Sequence, residues 1–134
     1  METLNEKVVL VTGAGGFIGS NLVMELLNSF ETLKVIGIDN INDYYDVSIK
    51  EWRLSEIDWC AKEHPESSWT FIKGSIADKI LIDKIFEEYK PDVVVNLAAQ
   101  AGVRYSITNP DAYVESNLIG FYNLLEACRH SYDN

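Results

Sequence analysis

Positive charge, cysteine and long apolar runs are all scarce in this chain of 134 residues. Lys and Arg number 11 against 21 Asp and Glu, a formal net charge of −10. Nucleic acid and anionic membrane surfaces are recognised by clustered Lys and Arg, so neither is expected as a partner. A phosphorylated ligand stays open, because a glycine turn binds phosphate through backbone dipoles rather than through net charge. The apolar runs are of strand length, so neither a signal peptide nor a membrane span is expected. Cys60 and Cys128 fall in helical patterns without metal or redox spacing, and are read as reduced thiols of a cytoplasmic protein. His64 and His130 stand isolated near helix ends, and no metal site is expected. What is present, 47% hydrophobic residues in a chain of modal domain length, excludes disorder and suffices for one buried core.

The periodicities alternate along the chain. Val8 to Val11 reads as a strand, and Phe17 to Asn28 as a helix with Leu22, Val23, Leu26 and Leu27 inward. Val35 to Ile38 is a second strand, followed by the polar loop DNINDYYD. Ser48 and Glu51 have capping-box spacing and open a helix to about Ala61, with Ile49, Trp52 and Ile57 as its expected inner face. Trp69 to Ile72 is the third strand. Asp78 caps a helix carrying Ile82, Ile85, Phe86 and Tyr89, stopped by Lys90 and Pro91. Asp92 to Leu97 is continuously apolar through Val93, Val94 and Val95, as in a parallel strand covered on both faces. Asn109 and Pro110 suit the cap and first position of a last helix reaching about Arg129.

Four strands alternating with helices predict an α/β fold: a partial Rossmann domain, its doubly wound parallel sheet in strand order 3-2-1-4. That order leaves the fourth strand on an open edge. The last helix is apolar nearly all round, so contact on two sides is expected of it. Both features ask for more chain or a partner subunit.

The turn after the first strand, TGAGGFIG, spaces Gly13, Gly16 and Gly19 as G-x-x-G-x-x-G. Backbone without Cβ lets main-chain N–H groups approach a pyrophosphate, and the N-terminus of the following helix stabilises its charge. Gly13 is expected to make the tight turn, Gly16 to leave room for phosphates, and Gly19 to let the helix pack closely on the sheet. Phe17 and Ile18 offer backbone N–H groups at the helix start. Glycines also serve ordinary strand–helix turns, but here strand, helix and downstream acid agree on a dinucleotide. The acid is Asp39, ending the second strand, where a carboxylate can accept hydrogen bonds from both adenosine ribose hydroxyls. A 2′-phosphate there meets like charge, at about 4 kcal/mol for a 4 Å pair in an effective dielectric of about 20 and about 1 kcal/mol in bulk water, and even the lower figure approaches a tenfold preference. NAD is therefore favoured over NADP; the alternative is that Asp39 only caps the next turn.

Other candidates carry two readings each. The loop Asn40 to Asp46 lacks the ligand ladder and terminal glutamate of a calcium loop. Its Asn40 and Asn42 are adenosine-side contacts or parts of a plain polar turn. Leu97, Ala98 and Ala99, ending the fourth strand, permit close approach of a cofactor or are ordinary strand-end packing. Arg104 is a solvated surface charge or a bidentate clamp on phosphate or carboxylate. Asn117, within an apolar helix, is expected to be buried with a partner.

TGAGGFIG, the Asp39-Asn40 pair, NLAAQAGVRYSITNP and ESNLIGFYNLLEA together resemble the extended short-chain dehydrogenase/reductase family. Within it the chain is similar to the NAD-dependent nucleotide-sugar epimerases and dehydratases. DNINDYYDVSIKEWRL with AAQAGVRYSI is most like the UDP-glucuronate 4-epimerase branch. The resemblance implies NAD contacts at Gly13, Gly16, Phe17, Ile18, Asp39, Asn40 and Asn42. It also implies contacts at Ser75 and Ile76 near the adenine, at Leu97, Ala98 and Ala99, and at Asn117. Position 75 carries Ser where the family often has Asp.

In the family, NAD⁺ takes a hydride from C4 of a UDP-sugar while a tyrosine phenolate, held by lysine, removes the hydroxyl proton. The 4-keto intermediate turns and the hydride returns to its other face. That tyrosine and lysine form Y-x-x-x-K beyond the fourth strand, and the pattern is absent from these 134 residues. Residues 1–134 are thus expected to be the N-terminal part of the NAD-binding domain, without its C-terminal strands and sugar domain. Alone they should not turn over a sugar. A 4,6-dehydratase piece and a non-catalytic NAD-sensing module stay open as alternatives. A methyltransferase using S-adenosylmethionine is disfavoured by the reductase spacing of TGAGGFIG. The family's dimer interface uses this last helix, which implies a homodimer.

Overall fold

Four short apolar runs build one parallel sheet. The computed structural model describes residues 3–41, 46–99 and 103–133. It divides into two units, Met1–Lys73 with Pro91–Leu97, and Gly74–Lys90 with Ala98–Asn134.

The first unit holds β1 (Val8–Thr12), α1 (Phe17–Ser29), β2 (Lys34–Asp39), α2 (Val47–Lys62), β3 (Ser68–Lys73) and β4 (Val93–Asn96). The strands are parallel in the order β3-β2-β1-β4, the order expected. Register sets Val9 opposite both Val35 and Val93, and Thr12 opposite both Ile38 and Asn96. Val9, Val11 and Val35 join Val23, Leu26 and Leu27 of α1 and Ile57 of α2 in one apolar cluster. Leu10, Ile36 and Ile38, of alternate parity, are buried as well, as parallel strands require. β4 departs from full coverage: Val93, Val94 and Val95 are half-buried, because the strand pairs on one side only.

Helix α2 corrects the expected inner face. Ile49 is 44% and Trp52 63% exposed, while Lys50 and Ile57 are buried. The inward stripe runs through Lys50, Leu54, Ile57 and Ala61, a 3.6-residue spacing that a lysine at its head disguised. The cap also differs. Asp46, rather than a Ser48–Glu51 box, accepts from the Ser48 N–H at 2.9 Å and the Ser48 hydroxyl at 2.8 Å. These bonds hold the Asp46 carboxyl below the usual carboxylate range.

The second unit holds α3 (Lys79–Tyr89), α4 (Val103–Thr108), α5 (Pro110–Tyr113), a π-helical segment (Val114–Gly120) and α6 (Phe121–Asp133). Asp78 caps α3 as expected, accepting from the Leu81 N–H at 3.1 Å. α3 lies against α6, and Ile82, Ile85, Phe86, Leu124 and Ala127 are their buried side chains. The single last helix expected from Asn109 to Arg129 is instead α5, the π-helical segment and α6. The wide turn shifts the phase of the faces on either side. Leu118, Ile119, Phe121, Tyr122 and Leu125 are left exposed. No helix among the described residues is long and apolar enough to cross a membrane.

Candidate functional site

The glycine turn is assembled by backbone bonds to the neighbouring strand. At the end of β1 the chain reverses through Gly13, whose φ of 70° lies in the left-handed region. The Gly13 and Ala14 N–H groups both donate to the Ile38 carbonyl, at 2.8 and 3.3 Å. The Gly16 N–H donates to the Gly13 carbonyl at 3.0 Å, closing the turn. Gly19 then lies directly over it: a Cβ there would overlap the Gly13 carbonyl oxygen. The close approach at Gly19 is thus to the turn, where packing on the sheet was expected.

α1 starts without a side-chain cap. Gly16 stands at its cap with no side-chain oxygen to offer, and no acidic residue lies in the first turn. Phe17 and Ile18 carry first-turn N–H groups that have no partner within a helix, and their side chains are mostly exposed. The helix dipole adds partial positive charge at this end.

Asp39 faces this turn from the end of β2 and is only 6% exposed. Its Oδ2 accepts from the Gly15 N–H at 2.9 Å. Its Oδ1 accepts from the Ile41 N–H at 2.8 Å and from Lys50 Nζ at 3.2 Å. The Ile41 bond holds a β-branched residue at φ 52°, a costly conformation that persists where surroundings over-determine it. Lys50 is 8% exposed, so this is a buried ion pair. One turn later on α2, Arg53 Nη1 reaches the Gly15 carbonyl at 3.4 Å, and its guanidinium lies 5.8 Å from the Phe17 ring centroid. The estimate of 2′-phosphate repulsion from a lone Asp39 charge is thereby corrected: an ammonium sits on the same carboxylate.

A second polar junction ties β1 to β4. The Thr12 hydroxyl, fully buried, donates to Asn96 Oδ1 at 2.5 Å and accepts from the Leu97 N–H at 2.9 Å.

The first unit thus brings together Gly13, Gly16, Phe17, Ile18, Gly19 and Asp39, with Asn40 exposed beside them and Leu97 at the end of β4. Asn42 lies outside the described residues, and Arg104 has a described backbone in α4 only. Ser75, Ile76, Ala98, Ala99 and Asn117 belong to the second unit. There Ser75 Oγ accepts from the Ala77 N–H at 3.1 Å in a local turn. The Ile76 side chain is buried, and a Cβ on Gly120 would overlap it. Asn117, expected to be buried, is exposed on the π-helical segment. The buried amide is Asn123, whose Nδ2 donates to the Ile76 carbonyl at 3.0 Å. Sequence reasoning missed Gly15, Lys50, Arg53, Thr12 and Asn123. Lys50 keeps inward spacing with Leu54 and Ile57, but its charge marks it as a surface residue until its partner is known.

Burial raises the thiols of Cys60 and Cys128 above their ordinary values, with Glu63 adding to the effect at Cys60. Neither is poised as a nucleophile.

Comparison with known proteins agrees with this architecture. The family model for GDP-mannose 4,6 dehydratase matches residues 10–134. Protein CapI of Staphylococcus aureus is 50% identical over 122 residues, 91% of this chain and 34% of that protein. UDP-glucuronate 4-epimerase 2 of Arabidopsis thaliana is 45% identical over 130 residues, 96% of this chain and 28% of that protein. The chain spans about a third of the length of these curated relatives. A crystal structure of Thermus thermophilus UDP-glucose 4-epimerase in complex with NAD superimposes with a TM-score of 0.66 at 32% identity, over 93% of this chain and 34% of that one. The chain belongs to the GDP-mannose 4,6 dehydratase family, within the nucleotide-sugar epimerases and dehydratases that its glycine turn and Asp39-Asn40 pair resemble.

Proposed function

We propose that these 134 residues are the NAD-binding part of a nucleotide-sugar epimerase, whose whole chain interconverts UDP-glucuronate and UDP-galacturonate by transient oxidation at C4. One observation carries the cofactor assignment: a buried carboxylate at the end of β2 is bonded to the glycine turn that opens α1. The residues fit a dinucleotide. The α1 N-terminus has a glycine at its cap, no side-chain cap and no acidic residue in its first turn. The pyrophosphate would lie on the Phe17 and Ile18 N–H groups, and the adenosine ribose on Asp39. When bound, the nicotinamide supplies hydride acceptance and return at the sugar. These residues bind and orient; with no Y-x-x-x-K among them, proton abstraction falls to groups outside them. The sugar assignment rests on the Arabidopsis relative, and the 4,6-dehydratase alternative on the name of the family model.

Calorimetric titration with NAD⁺ tests the cofactor assignment: stoichiometric binding supports it, and no heat at millimolar NAD⁺ refutes it. UDP-glucuronate added to the loaded chain should give no UDP-galacturonate; turnover above background refutes the division of labour. The exposed apolar side chains of the π-helical segment and α6 support a homodimer through this part of the chain. Sedimentation showing only monomer at micromolar concentration refutes that. A cytoplasmic location belongs to the same proposal and is supported by the two free thiols.

A further inference from the structure

Resting on the NAD-binding proposal, we infer that Lys50 is a specificity-determining residue of the ribose site. It positions the Asp39 carboxylate and offsets its charge, and so sets how strongly that carboxylate rejects a 2′-phosphorylated dinucleotide. Lys50 projects from an inward position of α2, where an apolar residue would otherwise complete the stripe with Leu54 and Ile57. A buried ammonium is costly unless paired and hydrogen-bonded. Asp39 Oδ1 is one such partner, at 3.2 Å, with both side chains at least nine-tenths buried.

The lone pairs show what that pairing does. A carboxylate offers about four acceptor positions. Oδ1 receives two donors, the Ile41 N–H and Lys50 Nζ, whereas Oδ2 receives the Gly15 N–H. Lys50 thus fixes Oδ1 in place and leaves acceptor capacity on Oδ2, the oxygen beside the glycine turn. The charge follows the same geometry. Asp39 with Lys50 on it is a near-neutral pair, and Arg53 adds a second cation one turn along the same helix. Without Lys50, a 2′-phosphate meets an unbalanced carboxylate. Without the Asp39 charge, the same phosphate meets a lysine and an arginine.

The two charges therefore shift cofactor preference in opposite directions. The test is the ratio of dissociation constants, NADP⁺ over NAD⁺, measured by calorimetry at low salt on the native chain, Lys50→Met, Lys50→Arg and Asp39→Asn. One unit charge about 4 Å away predicts, even at bulk-water screening, a change approaching tenfold. The ratio should rise in Lys50→Met, stay native in Lys50→Arg, and fall in Asp39→Asn. A purely structural Lys50 would weaken both dinucleotides equally, and an unchanged ratio in folded Lys50→Met overturns the inference. Should Lys50→Met fail to fold around its unpaired carboxylate, the double variant Asp39→Asn/Lys50→Met carries neither charge. It should bind NADP⁺ about tenfold more weakly than Asp39→Asn alone, and equal binding overturns the inference. A native chain that binds neither dinucleotide overturns the NAD-binding proposal itself, a result distinct from all of these.

Discussion

Gly19→Ala tests the closest backbone approach at the candidate site. Besides the overlapped Gly13 oxygen, a Cβ at Gly19 would meet the Gly13 carbonyl carbon at 2.9 Å and Ala14 Cα at 3.2 Å. All three are backbone atoms of a turn tied to β2 through the Ile38 carbonyl, so no side chain can swing aside. Overpacking costs about 1–3 kcal/mol, and rigid surroundings put this position at the upper end. Alanine regains about 1 kcal/mol over glycine as a helical residue. The net loss is about 2 kcal/mol. For a chain of 134 residues, 1 kcal/mol lowers the unfolding midpoint by about 3.5 °C, so the variant should melt about 7 °C lower. Gly16→Ala is the control: its φ of −77° suits any residue, and its Cβ would lie 3.2 Å from the Gly13 oxygen. Its loss should stay under about 1 kcal/mol. Thermal unfolding followed by circular dichroism, without ligand, measures both. A Gly19→Ala chain as stable as the native one, or less affected than Gly16→Ala, refutes the claimed contact between α1 and the turn.

Thr12→Val keeps the shape of the side chain but removes the hydroxyl between Asn96 and Leu97. Stability to urea should fall by about 1–3 kcal/mol, and no loss would mean that the β1–β4 junction does not depend on it. Asn123→Leu strips the Ile76 carbonyl of its amide donor and should cost about 1–3 kcal/mol in the same assay; undiminished stability refutes a structural role for that bond. For Cys60 and Cys128 the raised pKa means that the protonated thiol persists to higher pH than in a free cysteine. Iodoacetamide labelling of the folded chain should be slow at pH 7 and climb about tenfold per pH unit into the alkaline range; rapid labelling at pH 7 contradicts the burial of these thiols.

Legibility followed the range of the interaction. The limits of α1 and α3 were readable because neighbouring residues specify them, and the strand order because alternating strands and helices with right-handed crossovers leave few arrangements. Gly13 at a left-handed φ, Asp78 at a cap and Pro110 at a first helical position each act within one turn of chain. The inner face of α2 failed for a reason of the same kind. Hydrophobic periodicity weighs Ile49 and Trp52 above Lys50, yet the lysine is inside because a carboxylate eleven residues earlier satisfies it. Asp46 displaced the Ser48–Glu51 box because a carboxylate one residue before the helix already held both Ser48 donors.

The same reasoning accounts for Asn117 and Asn123. An asparagine in an apolar helix must be satisfied if buried, and sequence spacing alone offered Asn117 as that residue. The π-helical segment turns Asn117 outward and brings Asn123 to Ile76, 47 positions earlier. Thr12 meets Asn96 across 84 positions. Each missed polar residue is one whose burial depends on a partner that only the fold supplies, so its identity carries no local signal. The corresponding advantage lies in the glycine turn, where ligand recognition uses backbone N–H groups. Those need only glycines, a strand before and a helix after, all within twelve residues of one another. That is why the proposed cofactor was readable from sequence while the lysine proposed to tune its selectivity was not.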